Sequence, residues 1–210
     1  MPVIIDSYSE SYWTTDLSAY AGYIISYGQS FAVSVNNYTL TSAKFYLKKF
    51  GSPTGNITAE IFAHTGTFGV NGKPTGSALA TSDNVAISGL TTSDQLITFN
   101  FSGVNQITLT AGTNYVVVVT YNAGDSSNFL FVGGDGSTRV APGNGCYSLN
   151  NTSWTAYTAT DFCFYVYGNI IYQNSTGDLQ ATSSASDYKW LSKKLKTAQR
   201  QPAVRLFPVR

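Results

Sequence analysis

Apolar and polar residues alternate with a period of two along much of the first 168 positions of this chain. That spacing places successive side chains on opposite faces of a β-strand. Over residues 43–50, Ala43, Phe45 and Leu47 fall on one face and Lys44, Tyr46 and Lys48 on the other. Residues 57–64 repeat the pattern, with Ile57, Ala59, Ile61 and Ala63 set against Thr58, Glu60, Phe62 and His64. The connecting Gly51-Ser52-Pro53-Thr54-Gly55-Asn56 has turn chemistry throughout, so the two runs predict a hairpin. Antiparallel pairing on shared faces then sets Leu47 opposite Ile61 and Phe45 opposite Ala63. It also leaves Lys48 facing Glu60, and Lys44 facing His64, on the outside.

Further strands are expected over residues 23–27, 30–35, 79–87, 95–101, 106–109, 114–121, 128–132, 145–149 and 161–167. The run from Tyr115 to Val119 is apolar on both faces, which predicts a central strand with one face in the core and the other covered. Gly, Asn, Asp and Ser clusters separate the strands, and no helix is predicted before residue 186. This pattern implies an all-β, antiparallel β-sandwich of jelly-roll type over residues 22–168, with a closed barrel as the alternative. Residues 1–21 are expected to pack on the sandwich or on a neighbour, with Tyr12 and Trp13 as a plug or interface anchor.

After Gly168 the pattern changes. Residues 169–187 read as a polar linker, and residues 188–210 as a basic amphipathic attachment arm. Seven of the twelve Lys and Arg lie in the last 22 positions, which hold no acid. The preceding 188 residues carry five bases and eleven acids, so a body of −6 trails a strip of +7. Ser186-Asp187 would cap a short helix with Tyr188, Leu191, Leu195 and Ala198 on one stripe. Pro202 and Pro208 bracket an extended run, 203–207. Tyr188, Trp190, Leu191, Leu195, Arg200, Arg205, Leu206 and Phe207 are the expected partner-docking residues. They carry too much apolar surface for a simple phosphate-binding arm, so other copies or other proteins are the expected partners rather than nucleic acid. Acidic bodies would steer basic arms in a salt-dependent way.

A mass of 22.6 kDa lets about 70% of the extended chain's surface be buried, enough for one core without disulfides or metal. Charged residues make up only 11% of the chain against 14% aromatics, so solubility rests on hydroxyls and amides, as in surface-exposed β domains. The N-terminus lacks a basic region and an apolar run, and no segment approaches a membrane span. A chain made in the cytoplasm yet suited to the outside predicts a virion or extracellular surface. Cys146 and Cys163 show no metal-binding spacing and read as buried hydrophobes.

The segments Gly28-Gln29-Ser30-Phe31, Tyr38 to Ser42 leading into Phe45 to Lys49, and Gly51 to Gly55 occur in a fixed order. They are followed by residues 57–63, Gly76 to Ala80, Ala111 to Val117 and Asp161 to Gly168. In that order they resemble the choice-of-anchor jelly-roll modules of bacterial surface, secreted and phage-particle proteins, which are similar in architecture to carbohydrate-binding modules. The resemblance implies a fold and a surface setting, and carries over no catalytic residue.

The inventory argues against an enzyme. The only histidine, His64, is placed on an outer face beside Glu60, and acids such as Asp125 and Asp135 lie in Gly- and Ser-rich loops where Asp serves turns. No phosphate-binding loop is present. Sugar binding suits the aromatic content, because ring faces stack on sugars while amides and carboxylates orient hydroxyls. Trp154 and Tyr157, with Tyr121, Asp125 and Asn128 on a second loop, are the candidate glycan residues; the alternative for Trp154 is to cap the edge of the core. No cofactor is expected, although Asp125 or Asp135 could serve calcium. The expected function is a non-enzymatic structural protein displayed on a virus or phage particle, as a decoration or as part of a tail or fibre. The alternative is a carbohydrate-binding or adhesin module.

Overall fold

Sixteen strands follow one another in the computed structural model, which describes residues 1–137, 141–173 and 179–181. The first eight are β1 (Val3–Tyr8), β2 (Thr15–Ala19), β3 (Ser26–Val33), β4 (Tyr38–Phe50), β5 (Asn56–Thr65), β6 (Lys73–Thr81), β7 (Val85–Ala86) and β8 (Gln95–Asn100). The rest are β9 (Thr108–Leu109), β10 (Thr113–Thr120), β11 (Phe129–Asp135), β12 (Gly145–Ser148), β13 (Trp154–Tyr157), β14 (Asp161–Phe162), β15 (Phe164–Gln173) and β16 (Leu179–Ala181). The helix expected after Asp187, the run 203–207 and the docking residues Tyr188, Trp190, Leu191, Leu195, Arg200, Arg205, Leu206 and Phe207 lie outside the described residues.

Among the described residues the strands form two antiparallel sheets. The nine-stranded sheet runs β1-β15-β4-β11-β14, with β16 on β15, β2 on β11, and β8 and β9 on β4. The seven-stranded sheet runs β13-β12-β3-β10-β5-β6, with β7 on β5. Their facing sides share one core that includes Phe31, Phe45, Leu47, Ile61, Val117 and Phe164. Each such side chain contributes about 1.5–3 kcal/mol on full burial. The fold is thus an all-β antiparallel sandwich, as the alternation implies.

The expected hairpin between β4 and β5 is not formed. β4 belongs to the larger sheet and β5 to the smaller, so residues 51–55 arch across the core. The alternation itself holds: Ala43, Phe45, Leu47, Ile57, Ala59 and Ile61 are all fully buried. Two strands that bury facing sides in one core have the same pattern whether they lie side by side or on opposed sheets, so period alone does not separate the cases. Gly51 makes the arch possible, because its φ is +69° and a Cβ there would stand 2.3 Å from the Ser127 carbonyl oxygen. The outward pairs differ accordingly. Lys48 contacts Asp16 and Asp94, Glu60 accepts from Thr120 and Asn151, and His64 is the register partner of Pro74.

β10 lies between β3 and β5, as its two-sided apolarity predicts. Val117 and Val119 enter the main core, while Val116 and Val118 join Phe62 and Cys146 in a second cluster on the other side of the sheet. The sheet's two edges, β13 and β6, approach each other, and Trp154 and Ala78 pack over that cluster.

Four strands went unpredicted: β1, β2, β13 and β16, the last within the expected linker. The N-terminal segment adds β1 to β15 and β2 to β11. Asp6 on β1 also accepts from the Ala32 N–H of β3 at 2.8 Å, tying the first strand to the opposite sheet. Both cysteines are buried and unbridged.

Candidate functional site

The structure separates the residues singled out from the sequence. Trp154 and Tyr157, three apart on β13, point to opposite sides of the strand. Trp154 lies edge-on to Phe62 at 5.5 Å in the second cluster. Tyr157 lies edge-on to Tyr147 at 5.6 Å and packs against the main core. Tyr121, Asp125 and Asn128 do come together, but in supporting roles. Tyr121 is fully buried and donates to the Thr54 carbonyl of the arch at 2.8 Å. Asp125 accepts from the Ser127 N–H at 2.7 Å and from the Asn128 amide, and Asn128 accepts from the Ser52 N–H at 2.9 Å. These side chains hold the loop against the arch.

A row of aromatic side chains, some exposed and some half-buried, lies instead on the outer face of the larger sheet. Alternation turns Lys44, Tyr46, Lys48 and Phe50 of β4 away from the core, and Phe129 and Phe131 of β11 with them. Register makes Phe50 the partner of Phe129 and Lys48 the partner of Phe131. Phe50 and Phe129 stack with centroids 4.8 Å apart, and Phe131 meets both edge-on at 6.2 and 4.8 Å. On one flank Tyr20 touches Phe129 at 5.9 Å and stacks on Tyr23 at 5.0 Å. On the other, the Lys48 ammonium lies 5.1 Å from the Phe131 ring and 5.7 Å from the Trp13 ring, and Trp13 meets Tyr46 edge-on at 6.2 Å. Phe50, Tyr23 and Trp13 remain 50, 45 and 40% exposed. Exposed rings gathered this way mark an interaction surface more often than a gap in packing.

The lysines on this face are committed. Lys48 bonds Asp16 and Asp94; burial alone would lower its pKa, but those hydrogen bonds outweigh it and hold the ammonium above the usual lysine value. Lys44 lies 5.3 Å from the Tyr167 ring. The face therefore offers rings and hydroxyls, with the Lys48 charge paired and Lys44 over a ring, a surface suited to an uncharged polar ligand. Its sequence signal was the outward series Tyr46, Lys48, Phe50 on a strand whose inward face was already read.

A cleft of about 340 Å³ lies at one end of the sandwich, lined by Asp135, Asn144, Thr160 and Asp161 among others. Asp135 accepts from the Tyr8 hydroxyl at 2.7 Å, the Thr14 hydroxyl at 3.1 Å and the Ser137 N–H at 2.9 Å. Burial raises its pKa, but these bonds outweigh burial and bring it to about 2. Asp161 accepts from the Gln29 amide at 2.8 Å and the Ala141 N–H at 2.9 Å; burial, the larger cause, keeps its pKa raised. With every oxygen of both carboxylates already accepting a hydrogen bond, the pair acts as an organiser of β3, β11 and β14. Among the described residues no group of three or more His, Cys, Asp and Glu side chains is placed to hold a metal ion, and no helix is long and apolar enough to cross a membrane.

Comparison of the chain with family models, curated proteins and solved structures gave no match.

Proposed function

We propose that this is a non-enzymatic surface-display protein that binds a neutral, hydroxyl-rich ligand of the glycan class on the outer aromatic face of the larger sheet. The observation that supports this is the row from Tyr23 through Phe50 and Phe131 to Trp13, where exposed and half-buried rings adjoin Lys48, whose charge is already paired. Ring faces contribute large apolar area at little entropic cost, and they suit stacking on the C–H faces of sugars. A non-catalytic role is favoured because among the described residues no acid is hydrogen-bonded to the His64 imidazole Nε2 and the buried carboxylates serve structural donors. A glycan array on the full chain and on Trp13→Ala with Phe50→Ala tests the reading. Binding should be lost in the double variant and kept in Trp154→Ala; the reverse pattern would return the site to β13.

A second reading concerns attachment. The separation of charge between the −6 body and the +7 strip favours an arm, 188–210, that fastens the sandwich to neighbouring subunits of a virus or phage particle. Removing residues 188–210 should leave a folded sandwich that no longer joins its assembly, and continued incorporation would refute the arm.

A further inference from the structure

We propose that Lys48 and Asp16 condense into an intramolecular amide, a covalent cross-link between β4 and β2 formed with Asp94 as proton carrier. The contact is built from three strands. Asp94 immediately precedes β8, whose Gln95 is the register partner of Leu47, so its carboxylate lies beside Lys48. Asp16 is the partner of Gly133 and Lys48 the partner of Phe131 on the intervening β11. Because Gly133 has no side chain, Lys48 and Asp16 can meet above it; a Cβ there would stand 3.0 Å from Tyr46 and 3.1 Å from Trp13.

Each group needed for acyl transfer has a counterpart. The Lys48 amine touches Asp16 Oδ2 directly. The other Asp16 oxygen, Oδ1, accepts the Trp13 indole N–H at 2.8 Å, which places a donor where negative charge would develop on addition to Cγ. Asp94 Oδ2 lies 2.9 Å from the same amine, and its Oδ1 is buried with no hydrogen-bond partner among the described residues, a vacant seat for a proton. Trp13 and Phe131 cover the amine, and the side chains of Lys48, Asp16 and Asp94 are only 19, 15 and 12% exposed.

Asp94 takes one proton from the ammonium and relays it to Asp16, giving a neutral amine beside a neutral acid; a second nitrogen proton follows the same path to Oδ2 once Nζ has added. Nζ adds to Cγ, and the tetrahedral intermediate expels Oδ2 as water. Of the three ammonium protons, one stays on the amide nitrogen and two leave in the water; Asp94 ends as it began, and nothing is oxidised or reduced. The ionic pair is the resting state, and the neutral pair is rare. A single irreversible-in-practice turnover needs only occasional visits to it, because fixed neighbours react with effective concentrations of about 10⁵–10⁸ M.

Intact-mass measurement on the full-length chain, denatured after prolonged incubation at neutral pH, tests this. The expected mass is below that of the sequence by one water, and protease digestion should yield one branched peptide joining the segments that contain Asp16 and Lys48. Lys48→Arg keeps the charge but offers no amine for this bond, and Asp94→Ala removes the proton carrier; both should show the full sequence mass. A wild-type mass equal to that of the sequence overturns the proposal outright, whether or not the variants fold. A loss of water that survives in Lys48→Arg overturns it as well.

Discussion

Asp135 and Asp161 face each other as register partners on β11 and β14, and their proton affinities are driven apart. Asp135 sits at about 2, whereas Asp161 is raised, by burial first and also by the nearby Asp135 charge. Ionised Asp135 stabilises the fold above its unfolded value of 3.8, and that contribution is lost as pH falls toward about 2. Asp161 works in the opposite sense: its contribution is present when protonated and is lost as pH rises through its folded value. Asp135→Asn should cost about 2 kcal/mol at neutral pH and flatten the acid limb of stability. Asp161→Asn should become relatively more favourable as pH rises from acid to neutral. Urea unfolding across that range checks both, and an unaltered acid limb in Asp135→Asn counts against the assignment.

His64 has its pKa lowered by burial, and its Nε2 is buried without a hydrogen-bond partner among the described residues. The folded state therefore binds its proton less readily than the unfolded chain. Stability should fall as pH drops below the ordinary histidine value of 6.5 and level off below the folded value. His64→Gln should remove that loss between neutral and mildly acid pH, measured as the shift of the urea midpoint.

Trp154 and Phe50 should separate stability from binding. Trp154→Ala uncovers Phe62, Val116 and Val118, and is expected to cost about 3 kcal/mol, read from thermal unfolding. Phe50→Ala removes a ring that is half exposed, and should cost about 1 kcal/mol or less while weakening ligand capture. Equal losses of stability would remove the distinction between a packing ring and a presenting one.

Cys163 has its thiol pushed up to about 12, mainly by burial, and burial likewise raises Cys146. Thiolate is the reactive form, so a disulfide-exchange reagent at neutral pH should label neither cysteine until the chain is unfolded, when both titrate. Rapid labelling of the native protein would show that these thiols are reachable.

The alternation in β4, β5 and β10 made the inward side chains legible, because burial of one face leaves a two-residue signature whatever the neighbours. Partnership was not legible. Phe45 and Ile61 have the same pattern in a hairpin as across an arch, and the choice turns on strands such as β10 and β11, which arrive much later in the chain. β2 and β13 were missed because Thr15, Asp16 and Ser18, or Thr155 among Asn and Ser neighbours, read as loop; their backbones are extended by pairing with β11 and β12. The ring face was half visible. Tyr46 and Phe50 could be assigned outward, but Phe129, Phe131, Tyr20 and Trp13 join them only through the β4–β11–β2 order. Tyr121 misled because its loop neighbours suggested exposure, whereas its ring closes the core beneath the arch.

The arch of residues 51–55 sets the order in which a nascent chain can finish. When β4 and β5 have left the ribosome, neither has a mate: β5 waits for β6 and then β10, and β4 for β8, β11 and finally β15. Contacts this distant in sequence close slowly and leave bare strand borders in the meantime. A ribosome stalled before Phe164 would thus hold 163 residues in which β1 and β4 present borders open to strands of other chains, and β15 is the strand that seals them.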